Sequence, residues 1–178
     1  LVTLTQRIAE PGQVPPNGVA QRLWHVRAGQ VILATGSIER PIAFTNNDRP
    51  GVMLSQAVRT YLQRFGVVPG KRVVIATNND DAYHTAHALH AAGADIVAIL
   101  DARPSPAGAE CGFPVYNDAV PLSVKGSGNR LGQVTALVNG EPKSWSADLC
   151  AVSGGFTPVV HLHMQAGGTL DWNEAAQA

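Results

Sequence analysis

Apolar residues form their clearest pattern in the centre of the chain, where two short apolar runs flank an alanine-rich segment. The run Arg72–Ala76 is typical of a strand buried on both faces. Ala82–Ala92 follows after a polar turn and is closed by Gly93, which predicts a helix with a glycine stop. A second apolar run lies within Asp95–Leu100. This order predicts a right-handed βαβ unit of about thirty residues.

The first part of the chain has a different periodicity. Leu1–Ile8 and Arg22–Ala28 alternate between apolar and polar positions, which predicts two strands. Val31–Ala34 is entirely apolar and predicts a short strand buried on both faces, which stops at Thr35 and Gly36. The first 33 residues are therefore predicted to consist mainly of strands.

A helix and an antiparallel meander complete the pattern. Apolar residues recur at helical spacing between Ser55, a predicted N-cap, and Gly66, a predicted stop. Val120–Val124 and Gln133–Val138 alternate, and the Asn-Gly pair after the second run is a hairpin signal. Leu149–Ser153 is the last apolar run. We predict an α/β fold with a mainly parallel sheet and an added antiparallel meander.

An internal repeat indicates the domain organisation. Val31–Gly36 and Leu149–Gly154 are both apolar runs with a small-residue stop, and each is followed by a proline, at Pro41 and Pro158. This pattern predicts two nucleotide-binding domains of one design, the FAD/NAD(P)-binding plan of disulfide reductases, with the opening Rossmann-type βαβ unit of the first, incomplete domain lying upstream of Leu1. The chain also starts without methionine, and we expect both ends to continue into a longer protein. The predicted divisions are 1–52 for the tail of a first, FAD-type domain and its connection, 53–160 for a second, NAD-type domain, and 161–178 for a return toward the first.

The loop after the Arg72–Ala76 strand is where a dinucleotide fold holds pyrophosphate. That fold needs small residues there for the tight turn, for the approach of the phosphates and for helix packing. Ala82 satisfies the packing requirement, but Thr77 and Asn79 stand where glycines are expected. Asp101 ends the second strand, where a carboxylate takes the ribose hydroxyls and favours NAD, although Arg103 lies nearby.

Two carboxylates at the start of the predicted helix bear on the same question. Asp80 and Asp81 lie at the positive end of the helix dipole, which normally receives phosphate. One hypothesis is a loop that still binds NAD. The favoured hypothesis is that the dinucleotide fold is retained but its binding site has lost its function. NAD binding is then weak or absent, and Asp80 or Asp81 caps the helix.

Composition and charge exclude several classes of function. The net charge is zero and no basic run interleaves with aromatic residues, so nucleic acid is not an expected partner. No apolar stretch is long enough to span a bilayer. Cys111 and Cys150 form no CxxC pair, which predicts reduced thiols and a cytoplasmic location.

Four segments carry a resemblance to a known family: Val31–Pro41 (VILATGSIERP), Asn46–Val52 (NNDRPGV), Arg72–Ala82 (RVVIATNNDDA) and Val152–Leu162 (VSGGFTPVVHL). The chain resembles the alpha subunit of bacterial heterotetrameric sarcosine oxidase and its relatives in opine oxidase and hydrogen cyanide synthase. The resemblance implies a parent enzyme that demethylates sarcosine to glycine with oxygen, producing hydrogen peroxide. It also implies FAD in the beta subunit, FMN at the alpha–beta contact, NAD in the N-terminal part of alpha, and a folate-binding domain that this chain lacks.

These considerations predict a nucleotide-binding or structural module that is not catalytic alone, with the other subunits and the rest of its own chain as partners. Two alternatives stay open: an NAD(P)H-dependent flavin oxidoreductase of the disulfide-reductase type, and a pure interaction domain that docks through Asn46–Val52 and His161–Met164. His84, His87 and His90 are interpreted as a solvated helix face, and His161 and His163 as surface or interface residues on a strand. The predicted cofactor contacts are Thr35, Gly36, Thr77, Asn78, Asn79, Ala82, Asp101, Gly154 and Gly155.

Overall fold

The computed structural model describes residues 1–106 and 111–174. These residues divide into two compact units, one formed by Leu1–Thr35 with Val160–Thr169 and one that contains Gly36–Val159. In chain order the strands are β1 (Val2–Arg7), β2 (Gln21–Val26), β3 (Ser37–Glu39), β4 (Val52–Leu54), β5 (Arg72–Thr77), β6 (Asp95–Asp101), β7 (Val115–Tyr116), β8 (Ala119–Ser127), β9 (Arg130–Val138), β10 (Glu141–Ser146), β11 (Leu149–Ser153) and β12 (Phe156–Pro158), and the α-helices are α1 (Ser55–Phe65), α2 (Asp81–Ala91) and α3 (His161–Gln165).

The centre of the larger unit is a five-stranded sheet with the order β4-β11-β5-β6-β7. All of its strand pairs are parallel. The apolar runs 72–76, 95–100 and 149–153 form its three inner strands, because strands covered on both faces need apolar side chains on both. The predicted βαβ unit and the parallel sheet are therefore confirmed.

Two apolar layers cover the two faces of this sheet. Val73 and Ile75 of β5 pack with helices α1 and α2 on one face. Val74 and Ala76, which alternate with them, pack with the antiparallel meander on the other face. The period of two along one strand thus places successive residues in two separate cores.

The meander is a three-stranded antiparallel sheet with the order β10-β9-β8. The predicted hairpin signal is confirmed at the turn between β9 and β10, where Asn139 has φ 51° and Gly140 has φ 84°. Both positive values match the twist of the hairpin, which Asn and Gly tolerate better than other residues. Strand β10 is an addition to the sequence-based prediction.

Helix α1 ends as predicted and begins differently. Gly66 adopts the left-handed conformation with φ 66°, and its amide donates to the carbonyl of Leu62 at 2.9 Å. The prediction of Ser55 as an N-cap was wrong, because its hydroxyl is fully buried and donates to Oγ1 of Thr85 at 2.8 Å. The Ser55 side chain therefore joins α1 to α2 and does not cap α1.

The smaller unit departs most from the sequence-based prediction. It contains the hairpin of β1 and β2, but Val31–Ala34 forms no strand and Ile32 is 90% exposed. An apolar run becomes a buried strand only where neighbouring strands accept its backbone hydrogen bonds. His161 and His163 are exposed as expected, but they lie on helix α3 and not on a strand.

No helix among the described residues is long and apolar enough to cross a membrane.

The helix side of the sheet should be sensitive to truncation at Leu89, which is fully buried on α2. We expect Leu89→Ala to lower the free energy of unfolding by about 2–5 kcal/mol, from lost burial and the cavity left behind. Urea unfolding followed by circular dichroism measures this value. Leu122→Ala, at a leucine that is 43% exposed, is the matched control. Equal losses in the two variants would contradict the assigned core.

Candidate functional site

The buried polar residues on the strands of the parallel sheet lie at its carboxyl edge, which is where open α/β sheets bind ligands. The register places Ser153 of β11, Thr77 of β5 and Asp101 of β6 side by side as the last residues of three adjacent strands. Among the described residues, the buried polar or charged side chains are Glu39, Ser55, Thr77, Thr85, Asp101 and Ser153. This edge is therefore the candidate functional site.

Internal hydrogen bonds hold the turn after β5. The Thr77 hydroxyl accepts from the amide of Asn79 at 3.0 Å and donates to the carbonyl of the same residue at 2.9 Å. The Asn79 side-chain amide donates to Oγ of Ser153 at 3.0 Å, and its Oδ1 accepts from the Asp81 amide at 3.1 Å. Asn79 thus satisfies one free amide of the first turn of α2, a group that a nucleotide phosphate would use.

Asp80 and Asp81 are ion-paired and do not cap the helix. Neither side chain makes a capping bond to the backbone of α2, so that part of the favoured hypothesis was wrong. Asp81 accepts two bonds from Nη2 of Arg59 on α1, at 2.9 Å and 3.0 Å. Asp80 accepts from Nη2 of Arg103 at 2.6 Å. Two arginines therefore compensate the negative charge that the sequence places at this helix start.

Asp101, the predicted ribose acceptor, is fully buried and has four donors. Its Oδ1 accepts from the backbone N and the Nε of Arg103, both at 3.0 Å. Its Oδ2 accepts from the Tyr83 hydroxyl at 2.9 Å and from Nη2 of Arg103 at 2.8 Å. Burial, and then the hydrogen bond to Asp101, raise the pKa of Tyr83. The hydrogen bond to Asp101 likewise raises the pKa of Arg103 and keeps it charged.

Glu39 brings a buried carboxyl group to the same region from outside the βαβ unit. It ends β3, which pairs antiparallel with β12, and its Oε2 accepts from the amide of Gln56 at 2.8 Å. Gln56 lies in the first turn of α1, so Glu39 supplies the cap that Ser55 does not. Burial raises the pKa of Glu39, and the hydrogen bond from the Gln56 amide lowers it by less.

The remaining predicted contacts fall into two groups. Asn78 joins the edge network, because its backbone amide donates to the Ser153 carbonyl and its side chain to the Gly154 carbonyl, each at 3.3 Å. A Cβ at Gly154 would lie 2.9 Å from the carbonyl oxygen of Pro41, so this glycine permits a close backbone approach. Gly155 is buried beside Arg40.

The other predicted positions contribute little to this edge. Ala82 is fully buried in the helix-side core, which agrees with a packing role. The carbonyl of Gly36 accepts from the amide of Val159 at 2.9 Å. Thr35 is exposed and belongs to the smaller unit. The structure therefore joins Thr77, Asn78, Asn79 and Gly154 to Ser153 in one hydrogen-bonded group, and Asp101 to Tyr83 and Arg103 in a second group at the end of the adjacent strand. The sequence analysis had not assigned Glu39, Arg59, Tyr83 and Ser153 to this edge.

The two cysteines lie on opposite faces of the parallel sheet. Cys150 is fully buried against the meander, and burial raises the pKa of its thiol to about 12. Cys111 is partly buried and packs against the helix-side core. A thiol pair that exchanges electrons with a flavin needs two close sulfurs with thiolate character. This arrangement does not provide such a pair.

Comparison with known proteins identifies a closely similar group. No protein-family model matches the chain. It is 45% identical over 172 residues to a sarcosine oxidase subunit alpha from Corynebacterium sp. (strain P-1), covering 89% of this chain and 18% of that protein. It is 40% identical over 169 residues to the subunit alpha from Rhizobium meliloti (strain 1021), covering 94% of this chain and 17% of that protein. The chain is similar to one segment of the sarcosine oxidase alpha subunit. The resemblance stated from its motifs is confirmed.

Solved structures show the fold of this chain. An L-proline dehydrogenase from P. horikoshii matches with a TM-score of 0.61 at 21% identity, covering 96% of this chain and 31% of that chain. A thioredoxin reductase from T. acidophilum matches with a TM-score of 0.61 at 17% identity, covering 77% and 47%. The predicted fold class, that of FAD/NAD(P)-binding proteins of the disulfide-reductase type, is confirmed.

Neutralising Glu39 should change how stability depends on pH. A raised pKa means that the folded state tolerates the protonated form better, so stability falls as the pH rises from the ordinary glutamate value through the folded value. We expect Glu39→Gln to gain stability relative to the unsubstituted chain as the pH increases across that window. Urea unfolding at a series of pH values measures the difference.

Glu141→Gln, at an exposed glutamate of β10, is the control for this experiment and should follow the unsubstituted chain at every pH. A constant difference between Glu39→Gln and the unsubstituted chain would contradict the assigned penalty for ionising Glu39.

Proposed function

We propose that this chain is a nucleotide-fold segment of a sarcosine-oxidase-like alpha subunit and that its role is structural. The parent would be an amine oxidoreductase that demethylates sarcosine to glycine with oxygen and releases hydrogen peroxide. The similarity to sarcosine oxidase alpha subunits supports this assignment. In this proposal the segment supplies no catalytic group, acts in the cytoplasm, and leaves flavin chemistry, with FAD and FMN, to other parts of the complex.

The proposed structural role rests on one observation: the polar groups at the carboxyl edge are hydrogen-bonded to other groups of the same chain. Asp101 has four donors from its own chain, and Asn79 already bonds to the first turn of α2. A dinucleotide would need these same groups for its ribose and its phosphates. Breaking a buried carboxylate away from its partners costs several kcal/mol. Binding of NAD at this edge is therefore proposed to be weak or absent.

The exposed apolar residues of the smaller unit support a structural role within a larger protein. A two-stranded hairpin is at best marginally stable alone, and contiguous exposed apolar surface is typical of contact sites. We propose that residues 1–52 complete a first nucleotide domain, with the rest of the subunit and other subunits as partners, that 53–160 form the second, and that 161–178 return to the first. Residues 175–178 lie outside the described part of the chain. The exposed side chains are Leu1, Leu4, Leu23, Trp24, Val31, Ile32 and Leu33.

Isothermal titration calorimetry with NAD, NADP and FAD tests the structural role. We expect no saturable binding of any of the three to the 178-residue chain at micromolar concentrations, because the polar groups of the edge are already bonded. An Asp101→Asn variant serves as the comparison and should behave in the same way. Micromolar affinity for NAD that Asp101→Asn abolishes would show a working dinucleotide site and contradict the proposal.

A further inference from the structure

Arg103 spans the gap between the two halves of the βαβ unit. Its Nη2 lies 2.6 Å from Oδ1 of Asp80, the residue directly before α2, and 2.8 Å from Oδ2 of Asp101, the last residue of β6. In a dinucleotide fold the adenosine ribose lies in the crevice between these two points, beyond the carboxyl ends of the strands. A guanidinium that bonds to both points therefore lies across this crevice.

We infer that Arg103 takes the place of a nucleotide at this edge. Asp101 could accept hydrogen bonds from ribose hydroxyls, but the Arg103 side chain already occupies the acceptor positions that they would use. The inference rests on the proposed structural role and adds the residue responsible for it. Asp101 occupies the position at the end of the second strand where a carboxylate receives the ribose hydroxyls, but all four of its bonds come from this chain.

The two ion pairs of Arg103 differ in how easily a ligand could displace them. The Asp80 side chain is 57% exposed, and ion pairs in contact with water contribute little. The Asp101 side chain is fully buried, so losing the guanidinium would leave a charge without compensation. Ribose hydroxyls are neutral and cannot replace that positive charge. The contact between Arg103 and Asp101 is therefore the one that holds the guanidinium in the crevice, and the contact with Asp80 contributes less.

Shortening Arg103 should open the crevice. In Arg103→Ser the backbone amide and the Tyr83 hydroxyl still hold Asp101, while the acceptor positions used by Nε and Nη2 become available. Adenosine is a suitable probe, because it carries the ribose diol and has no phosphate for Asp80 and Asp81 to repel. Binding is measured on the 178-residue chain by ligand-observed NMR and by thermal shift.

We expect Arg103→Ser to bind adenosine at least about tenfold more tightly than the unsubstituted chain. Its melting temperature should fall, and adenosine should raise it again by mass action. Arg103→Lys, which keeps a charge but loses the forked geometry, should give a smaller gain. Arg72→Ser is the matched control, because it removes an exposed ion pair with Asp95 at the opposite end of β5 and should leave adenosine binding unchanged.

The outcomes separate this inference from the proposed function. A folded Arg103→Ser chain whose affinity for adenosine is unchanged overturns the inference alone. If Arg103→Ser does not fold, an unchanged affinity in Arg103→Lys overturns it equally. An equal gain in Arg72→Ser would also overturn it, because the effect would not depend on the crevice. Tight binding of adenosine by the unsubstituted chain would instead contradict the structural role.

Discussion

The negative charge of a carboxylate that is shielded from water must be compensated by groups of the protein itself. Asp101 is such a carboxylate, and this requirement determines the arrangement at the carboxyl edge of the sheet. Its four donors come from Arg103 and Tyr83, which approach it from the loop after β6 and from α2. Losing one partner of such a buried pair is far more costly than losing a surface ion pair. The positions of Arg103 and Tyr83 are therefore fixed by the charge that ends β6.

Further hydrogen bonds hold the neighbouring elements of the edge. Arg103 also holds Asp80, Asn79 ties the turn after β5 to Ser153, and Arg59 joins α1 to the start of α2. Glu39 closes the first turn of α1 from strand β3. The polar groups that a nucleotide-binding fold usually offers to its ligand are in this way used to hold its own elements together. The same bonds that hold these elements together are the basis of the proposed structural role.

Much of the fold could be predicted from the sequence because its inner strands are apolar on both faces. The runs 72–76, 95–100 and 149–153 became the three inner strands, and the Asn-Gly turn formed its hairpin. Strands β4, β7 and β12 have two or three residues each, too few for a periodic pattern. Val31–Ala34 has a strand-like composition, but within the described chain it has no neighbouring strand to pair with.

The candidate site was predictable only in its location. The strand ends marked Thr77 and Asp101, but residue types alone could not show that Arg103 takes both oxygens of Asp101. Serine is a common helix cap, but the Ser55 hydroxyl is buried and bonds to Thr85, so it does not cap α1. Glu39 reaches α1 from a distant strand, so no local pattern indicated it. Sequence periodicity specifies elements, whereas the use of their polar groups depends on contacts between elements.

Arg103 bonds to both carboxylate oxygens of Asp101, where we propose that no nucleotide binds. The most direct measurement is the proton–nitrogen NMR signal of the Arg103 Nε–H group, assigned by its loss in Arg103→Lys. A group held by a buried carboxylate should exchange slowly with water and should keep its chemical shift when NAD is added at millimolar concentration. A signal that exchanges rapidly, or that moves progressively as NAD is added, would contradict this account.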